Sequence, residues 1–218
     1  MLQELNDENG ASYFTNKYYT ECLNMFKDEF LYGAEFGVPY GGGVAKIGRE
    51  WKDRGKVWGF DTFEGHPKIL RNICPYTKKL ESEIHEESHA SFCMDRWYNN
   101  PNYGTEKLRY EYIQSKLDEE NLDNVILVKG LVDEKTNLEF IPKLHYAFID
   151  FDFPIAQWNV WNLIKNKIVS GGYLLLHDMI PKDHLYGNYE LYQKMLSENL
   201  YDVVEEIPSS FLCILRKK

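Results

Sequence analysis

No stretch of this chain approaches the roughly 18 consecutive apolar residues that a membrane span needs. Residues 1–10 carry neither a basic region nor a long apolar one, so they do not read as a signal peptide. Cysteine is scarce. Cys22, Cys74, Cys93 and Cys213 never fall into Cys-x-x-Cys spacing, which argues against a disulfide framework or zinc ribbon and for a reduced, cytoplasmic setting. Positive charge is in deficit: 25 Lys and Arg against 34 Asp and Glu give a net charge of -9, which argues against a general nucleic-acid binder. Repeats and low-complexity linkers are absent too. What is there, 218 residues that are 44% hydrophobic and 15% aromatic, is enough for one domain with a large core over residues 1–218.

Short apolar runs recur at 30–35, 56–61, 124–129, 145–150 and 172–177. Helical periodicity occupies 15–30, 44–53, about 105–120, 156–168 and about 188–198, with Tyr19, Cys22, Leu23, Phe26 and Phe30 on one face of the first helix. This alternation predicts a parallel sheet with helices on both faces. The near-continuous apolar runs at 124–128, 146–149 and 173–176 suit strands buried on both sides. Two further strands, 201–207 and 210–216, are joined by Pro208-Ser209, too short for a crossover, and so pair as an antiparallel hairpin. The expected fold is α/β: a Rossmann-like, doubly wound, mostly parallel seven-stranded sheet with a C-terminal antiparallel hairpin.

Glu35-Phe36-Gly37-Val38-Pro39-Tyr40-Gly41-Gly42-Gly43 links the first strand to the second helix. Glycine admits close backbone approach, and a helix N-terminus adds partial positive charge, so this is a nucleotide cradle. It lacks the dinucleotide spacing Gly-x-Gly-x-x-Gly. The carboxylate of Glu35 suits a ligand carrying an ammonium better than one carrying a pyrophosphate.

The strand candidates end at Glu35, Asp61, Lys129-Gly130, Asp150 and His177-Asp178. Ligands of open parallel sheets bind outside those ends, so these residues are expected to converge. Asp61, 24 residues beyond Gly37, is placed to accept hydrogen bonds from a ribose; the plainer alternative is a turn cap helped by Thr62. Asp150, Asp152, His177 and Asp178 offer hard oxygen and one imidazole to Mg²⁺, Mn²⁺ or Ca²⁺. Asp150 and Asp152 share a side if the strand continues. Here the alternative is that Asp152 caps the helix at 156–168 and His177 is a core histidine.

His85-Glu86-Glu87-Ser88-His89 has the outline of a zinc-protease motif. Its wholly polar surroundings and the missing third ligand favour a solvated helix. It lies in an odd polar and aromatic segment, 66–112, which reads as an insertion and candidate lid over the crevice, or as a plain surface excursion.

Together the motifs resemble those of class I S-adenosylmethionine-dependent methyltransferases, and within them the macrocin O-methyltransferase family. Glu35-Phe36-Gly37-Val38-x-x-Gly41-Gly42, Gly59-Phe60-Asp61-Thr62-Phe63-Glu64-Gly65, Val128-Lys129-Gly130 with Thr136, Ile149-Asp150-Phe151-Asp152-Phe153, and Ser170-Gly171-Gly172 running into His177-Asp178 occur in the family's order over residues 31–180. The chain departs from it in having His177-Asp178 for two adjacent aspartates, and Phe153 for a tyrosine. The resemblance implies S-adenosylmethionine as cofactor, with Glu35, Gly37, Val38, Gly41, Gly42 and Gly43 around its methionine part. Asp61, with Thr62 and Phe63, would hold the ribose; Gly130 would flank the adenine, and Asp150 would close the site. It also implies Mg²⁺ on Asp150 and Asp178, where the departing His177 can ligate as well or supply a base, and a small-molecule hydroxyl acceptor, a sugar or glycoside. His177 or Asp150 would be the base, and Trp97, Tyr98 and Tyr103 could stack on a sugar. No membrane or nucleic-acid partner is implied, and a homodimer would be unsurprising. The competing readings are a nicotinamide-dependent oxidoreductase, which the glycine spacing disfavours, and a non-catalytic cofactor-binding subunit, which the intact acids disfavour.

Overall fold

The computed structural model describes residues 11–65, 76, 78, 79, 110–180 and 186–218. In chain order its elements are α1 (Ala11–Met25), β1 (Leu31–Phe36), α2 (Gly42–Glu50), β2 (Gly55–Asp61), α3 (Tyr110–Glu119), β3 (Val125–Lys129), β4 (Leu144–Ile149), α4 (Pro154–Ile164), β5 (Ile168–His177), α5 (Tyr186–Ser197), β6 (Tyr201–Ile207), a 3-10 turn (Pro208–Ser210) and β7 (Leu212–Lys217). One sheet runs in the order β3-β2-β1-β4-β5-β7-β6. The first five strands are parallel, and β7 is antiparallel to both its neighbours. The winding reverses between β1 and β4, which opens a crevice at their carboxyl ends.

Apolar residues leave both faces of the central strands to be covered. On one face α1 brings Tyr18 and Cys22, α2 brings Val44 and Ile47, and α3 brings Ile113 and Leu117. On the other, α4 brings Val160 and Trp161, and α5 brings Leu191 and Met195. Every residue of β4 is buried, the apolar run 146–149 and His145 alike. At the far edge β6 exposes most of its residues and carries Asp202, Glu205 and Glu206, charges that discourage pairing with another chain. Among the described residues no helix is long and apolar enough to cross a membrane.

The seven strands and the hairpin are those expected; several boundaries are not. The first helix ends at Met25 rather than 30, because Glu29 N–H turns back to the Phe26 carbonyl, and this leaves Phe30 exposed against Tyr32. The helix after β4 stops at Ile164 rather than 168, where Lys167 N–H bonds to Ile164 and the chain turns into β5. β5 starts at Ile168, not 172. Ser170-Gly171-Gly172 forms an irregularity inside the strand rather than its start, with Leu144 opposite Ile168 but Tyr146 opposite Tyr173. Gly171, at φ +81, takes the left-handed conformation there. The hairpin link is longer than Pro208-Ser209: the 3-10 turn and Phe211, itself left-handed, delay β7 to Leu212.

Candidate active site

The cradle is built by close backbone approach. Gly37 N–H donates to the Phe60 carbonyl at 2.8 Å, and Asp150 N–H donates to the Phe36 carbonyl at 2.7 Å, which locks the ends of β1, β2 and β4 together. A Cβ on Gly37, at φ +99, would lie 2.0 Å from the Asp150 carbonyl oxygen, so only glycine fits. Gly41 caps α2 in a left-handed conformation, with no side chain on the helix N-terminus. The first N–H groups of a helix have no intrahelical partner, and here no cap side chain takes them up. The Glu35 carboxylate lies against this turn: a Cβ on Gly43 would stand 2.3 Å and 2.6 Å from its two oxygens. The Cβ positions of Gly42 and Gly130 face open space.

Glu35 is buried, and its carboxyl is pushed up to about 8, first by burial, then by the nearby charges of Asp150 and Asp61, with Lys46 opposing. Asp61, also buried, ties three loops. Its Oδ2 accepts the Val38 N–H at 2.7 Å, its Oδ1 accepts the Phe63 N–H at 2.8 Å, and its carbonyl accepts the Gly130 N–H at 2.9 Å. The turn-cap role weighed against ribose binding is therefore present. A carboxylate has about four acceptor positions, so the two roles are compatible. Thr62 Oγ1 donates to the Gly65 carbonyl at 2.7 Å, and the Phe63 ring is buried edge-on against Tyr110. Val38 is likewise wholly buried. These three residues shape the cradle wall from within the protein.

Three of the four residues of the second group come together. His177 Nδ1 lies 2.8 Å from Asp150 Oδ1 and 3.2 Å from Asp178 Oδ2. The three donor atoms lie within 4.8 Å of one another, the spacing of a set that can close on one cation. Burial pulls the His177 imidazole down, but the charges of Asp150 and Asp178 outweigh it and hold the ring well above its ordinary value. The ring stands edge-on between Phe148 and Phe211, at centroid distances of 6.5 Å and 6.3 Å.

Asp152 corrects the sequence reading. β4 ends at Ile149, Asp152 takes a left-handed φ of 51, and it lies outside the three-residue set. The N-cap position of α4 is Phe153, one residue beyond Asp152. The lid residues Trp97, Tyr98 and Tyr103 and the pair His85 and His89 lie outside the described residues. Of that segment, Tyr76 stacks on Trp158 at 5.0 Å and donates to Asn159 Oδ1 at 2.5 Å, on α4. The sequence reading missed Phe148 and Phe211 as walls of the histidine. It also missed two wholly buried amides behind it, Gln157 and Asn188. Polar residues on otherwise apolar helix faces were the available signal.

No protein-family model matches this chain, and no characterised protein matches it by sequence. Solved structures do match. The O-methyltransferase NovP superposes with a TM-score of 0.65 at 16% identity, over 94% of this chain and 79% of that one. An O-methyltransferase from Bacillus cereus, in complex with SAH, gives 0.54 at 12%, over 94% and 81%. An rRNA methylase from Streptococcus thermophilus gives 0.54 at 13%, over 94% of each chain. The chain thus shares the fold of these solved methyltransferases: an α/β fold whose mostly parallel seven-stranded sheet ends in an antiparallel hairpin. At these identities the likeness is one of fold.

Proposed function

We propose that this protein is an S-adenosylmethionine-dependent O-methyltransferase acting on a hydroxyl of a small molecule. The observation that carries the reading is Glu35, buried against the uncapped first turn of α2, with Asp61 and Asp150 close enough to raise its carboxyl. Such an acidic crevice suits a ligand bearing an ammonium and a sulfonium. It opposes the pyrophosphate of a nicotinamide cofactor. The methyl sulfonium of the bound cofactor supplies the electrophile.

The residues present fit that cofactor. Glu35 takes the ammonium, and the first-turn N–H groups of α2 take the carboxylate. Asp61 accepts from the ribose with the positions its backbone bonds leave over. Gly130, open on its Cβ side, lets the adenine lie against backbone. The chain's task is then to align an acceptor oxygen and take up its proton. Asp150, His177 and Asp178 stand where that oxygen arrives. His177, whose imidazole the charges of Asp150 and Asp178 hold above its ordinary value despite burial, is the group that orients the acceptor oxygen and exchanges its proton.

The same three residues fit Mg²⁺ in donor type and convergence, and the ion would acidify a chelating hydroxyl there. The resemblance to macrocin O-methyltransferases favours a sugar or glycoside acceptor, met in the cytoplasm.

A thermal-shift titration with S-adenosylmethionine, S-adenosylhomocysteine and NAD, each with Mg²⁺ and with EDTA, tests the reading. Stabilisation by both sulfur ligands and not by NAD is expected. A ligand at 100 times its Kd adds about 2.7 kcal/mol, which such an assay resolves. No shift with either sulfur ligand overturns the assignment. A further Mg²⁺-dependent gain, lost in Asp178→Ala, supports the metal.

A further inference from the structure

Two amide side chains behind the site connect its two arms crosswise. One arm is the loop after β4, which carries Asp150. The other is the end of β5, which carries His177 and Asp178. Gln157, in the first turns of α4, follows the first arm in sequence but donates from Nε2 to the carbonyl of His177, on the second arm, at 3.4 Å. Asn188, in the first turn of α5, follows the second arm but donates from Nδ2 to the carbonyl of Asp152, on the first arm, at 3.1 Å. Each helix therefore holds the arm that the other helix continues.

Both side chains are wholly buried. Among the described residues, neither Gln157 Oε1 nor Asn188 Oδ1 has a hydrogen-bond partner. A buried amide with an unused acceptor destabilises a fold relative to an apolar residue of the same shape. Packing alone does not account for two of them. What they grip are two left-handed turns at non-glycine residues: Asn188 holds the carbonyl of Asp152 itself, at φ +51, and Gln157 holds the carbonyl of His177, directly before Asp178 at φ +60. A left-handed non-glycine residue persists only where its surroundings hold it.

We infer that Gln157 and Asn188 form a crossed brace that fixes the separation of Asp150 from His177 and Asp178, making them positioning residues for the site. The inference rests on the proposed reading of those three side chains as the working set. With either amide gone, one arm relaxes and the carboxylates move apart, although the sheet and the cofactor cradle on the other side of β1 stay as they are.

Hydrogen exchange on the full chain with Asn188→Leu and Gln157→Met, which keep volume and remove the donor, tests this. N188L is expected to speed exchange at least tenfold in peptides covering 150–154, and Q157M to do so at 177–180, with β4 and the body of β5 unchanged. Loosening confined to the helix that carries the substitution overturns the brace, as does no change in either arm. Should a volume-matched variant not fold, Asn188→Ser or Gln157→Ser, which lose the reach of the amide, is compared in the same way. Mn²⁺ titration of the same proteins by EPR adds a second readout. At least tenfold weaker binding in both variants is expected, with S-adenosylhomocysteine affinity within twofold of wild type. Unchanged Mn²⁺ affinity counts against the brace. A wild-type chain that binds no Mn²⁺ overturns the metal part of the functional reading, while the crossed exchange pattern still decides the brace.

Discussion

Replacing Glu35 by glutamine is expected to stabilise the free protein and weaken its hold on the cofactor. The Glu35 carboxyl sits at about 8 in the fold against an ordinary 4.5, chiefly because it is buried and then because Asp150 and Asp61 repel its charge. Between those two values the folded chain keeps a proton that the unfolded chain has lost. Glu35 therefore contributes full stability below 4.5, and that contribution is lost as pH rises through about 8. At roughly 1.4 kcal/mol per pH unit, the loss reaches about 3 kcal/mol by pH 7. Glutamine does not titrate, so E35Q keeps what the wild type gives up. For a chain of this length the difference corresponds to a Tm higher by about 6–12 °C at pH 7, shrinking to nothing near pH 4.5. Urea unfolding of both proteins from pH 4.5 to 9 reads it directly. Cofactor binding supplies the complementary measurement. A ligand whose ammonium keeps Glu35 ionised should drive off about 0.9 proton per site at pH 7. Calorimetry of S-adenosylhomocysteine binding in two buffers of different ionisation enthalpy counts that proton. In E35Q the proton should vanish and the affinity fall. Parallel pH–stability curves for the two proteins, together with heats independent of buffer, would refute the reasoning.

Four further outcomes are expected. Gly43→Ala places a methyl on the Glu35 carboxylate and should weaken S-adenosylhomocysteine binding at least tenfold by calorimetry; an unchanged Kd contradicts the cradle geometry. Asp61→Ala strips the acceptors from the Val38 and Phe63 N–H groups, costing roughly 2–3 kcal/mol in urea unfolding as well as cofactor affinity; retention of both rules out the tie between the loops. His177→Ala should lower turnover on any accepted hydroxyl by about 100-fold or more with cofactor affinity within twofold, and equal loss of both would remove its assignment to the acceptor side. His145 Nδ1 accepts the Tyr32 N–H at 3.0 Å inside the core, and burial holds the imidazole below its ordinary 6.5. Its contribution is present above that value and lost as pH falls through the folded one. The acid limb of the stability curve should accordingly flatten in His145→Asn, which keeps an acceptor without a titration.

The sheet was legible because local signals agreed. The run 146–149 is apolar on both faces and is followed by an acid, and the fold buries all of it and sets Asp150 beside His177. The glycines of the cradle were legible for the same reason, since only a turn needing left-handed backbone would hold Gly37 and Gly41 so close to Glu35. His177 and Asp178 were legible as strand-end residues. Long-range geometry was not. Whether the chain stays extended past Ile149 decides where Asp152 points, and nothing local to that sequence announces its left-handed turn. Gly171-Gly172 looks the same as a strand's start or as a break within one; the turn at Lys167, which begins β5 early, decides it. Gln157 and Asn188 are polar residues on helices, and only the folded chain shows that each reaches across to the other's strand.

The reversed strand has a consequence for how the protein is made. β6 pairs with β7 and with no other described strand, and β7 alone joins it to β5. During synthesis β6 emerges before its partner exists, and the growing chain presents an apolar β5 edge to whatever is nearby until residues 212–217 follow. The histidine of the site waits on the same event, since one of its two flanking rings is Phe211. A nascent or clipped chain ending before Phe211 therefore keeps every described residue of the proposed cofactor cradle but lacks one of the two rings that flank His177. Such a chain should still bind S-adenosylhomocysteine while transferring nothing, and should be readily captured by chaperones that recognise open strands.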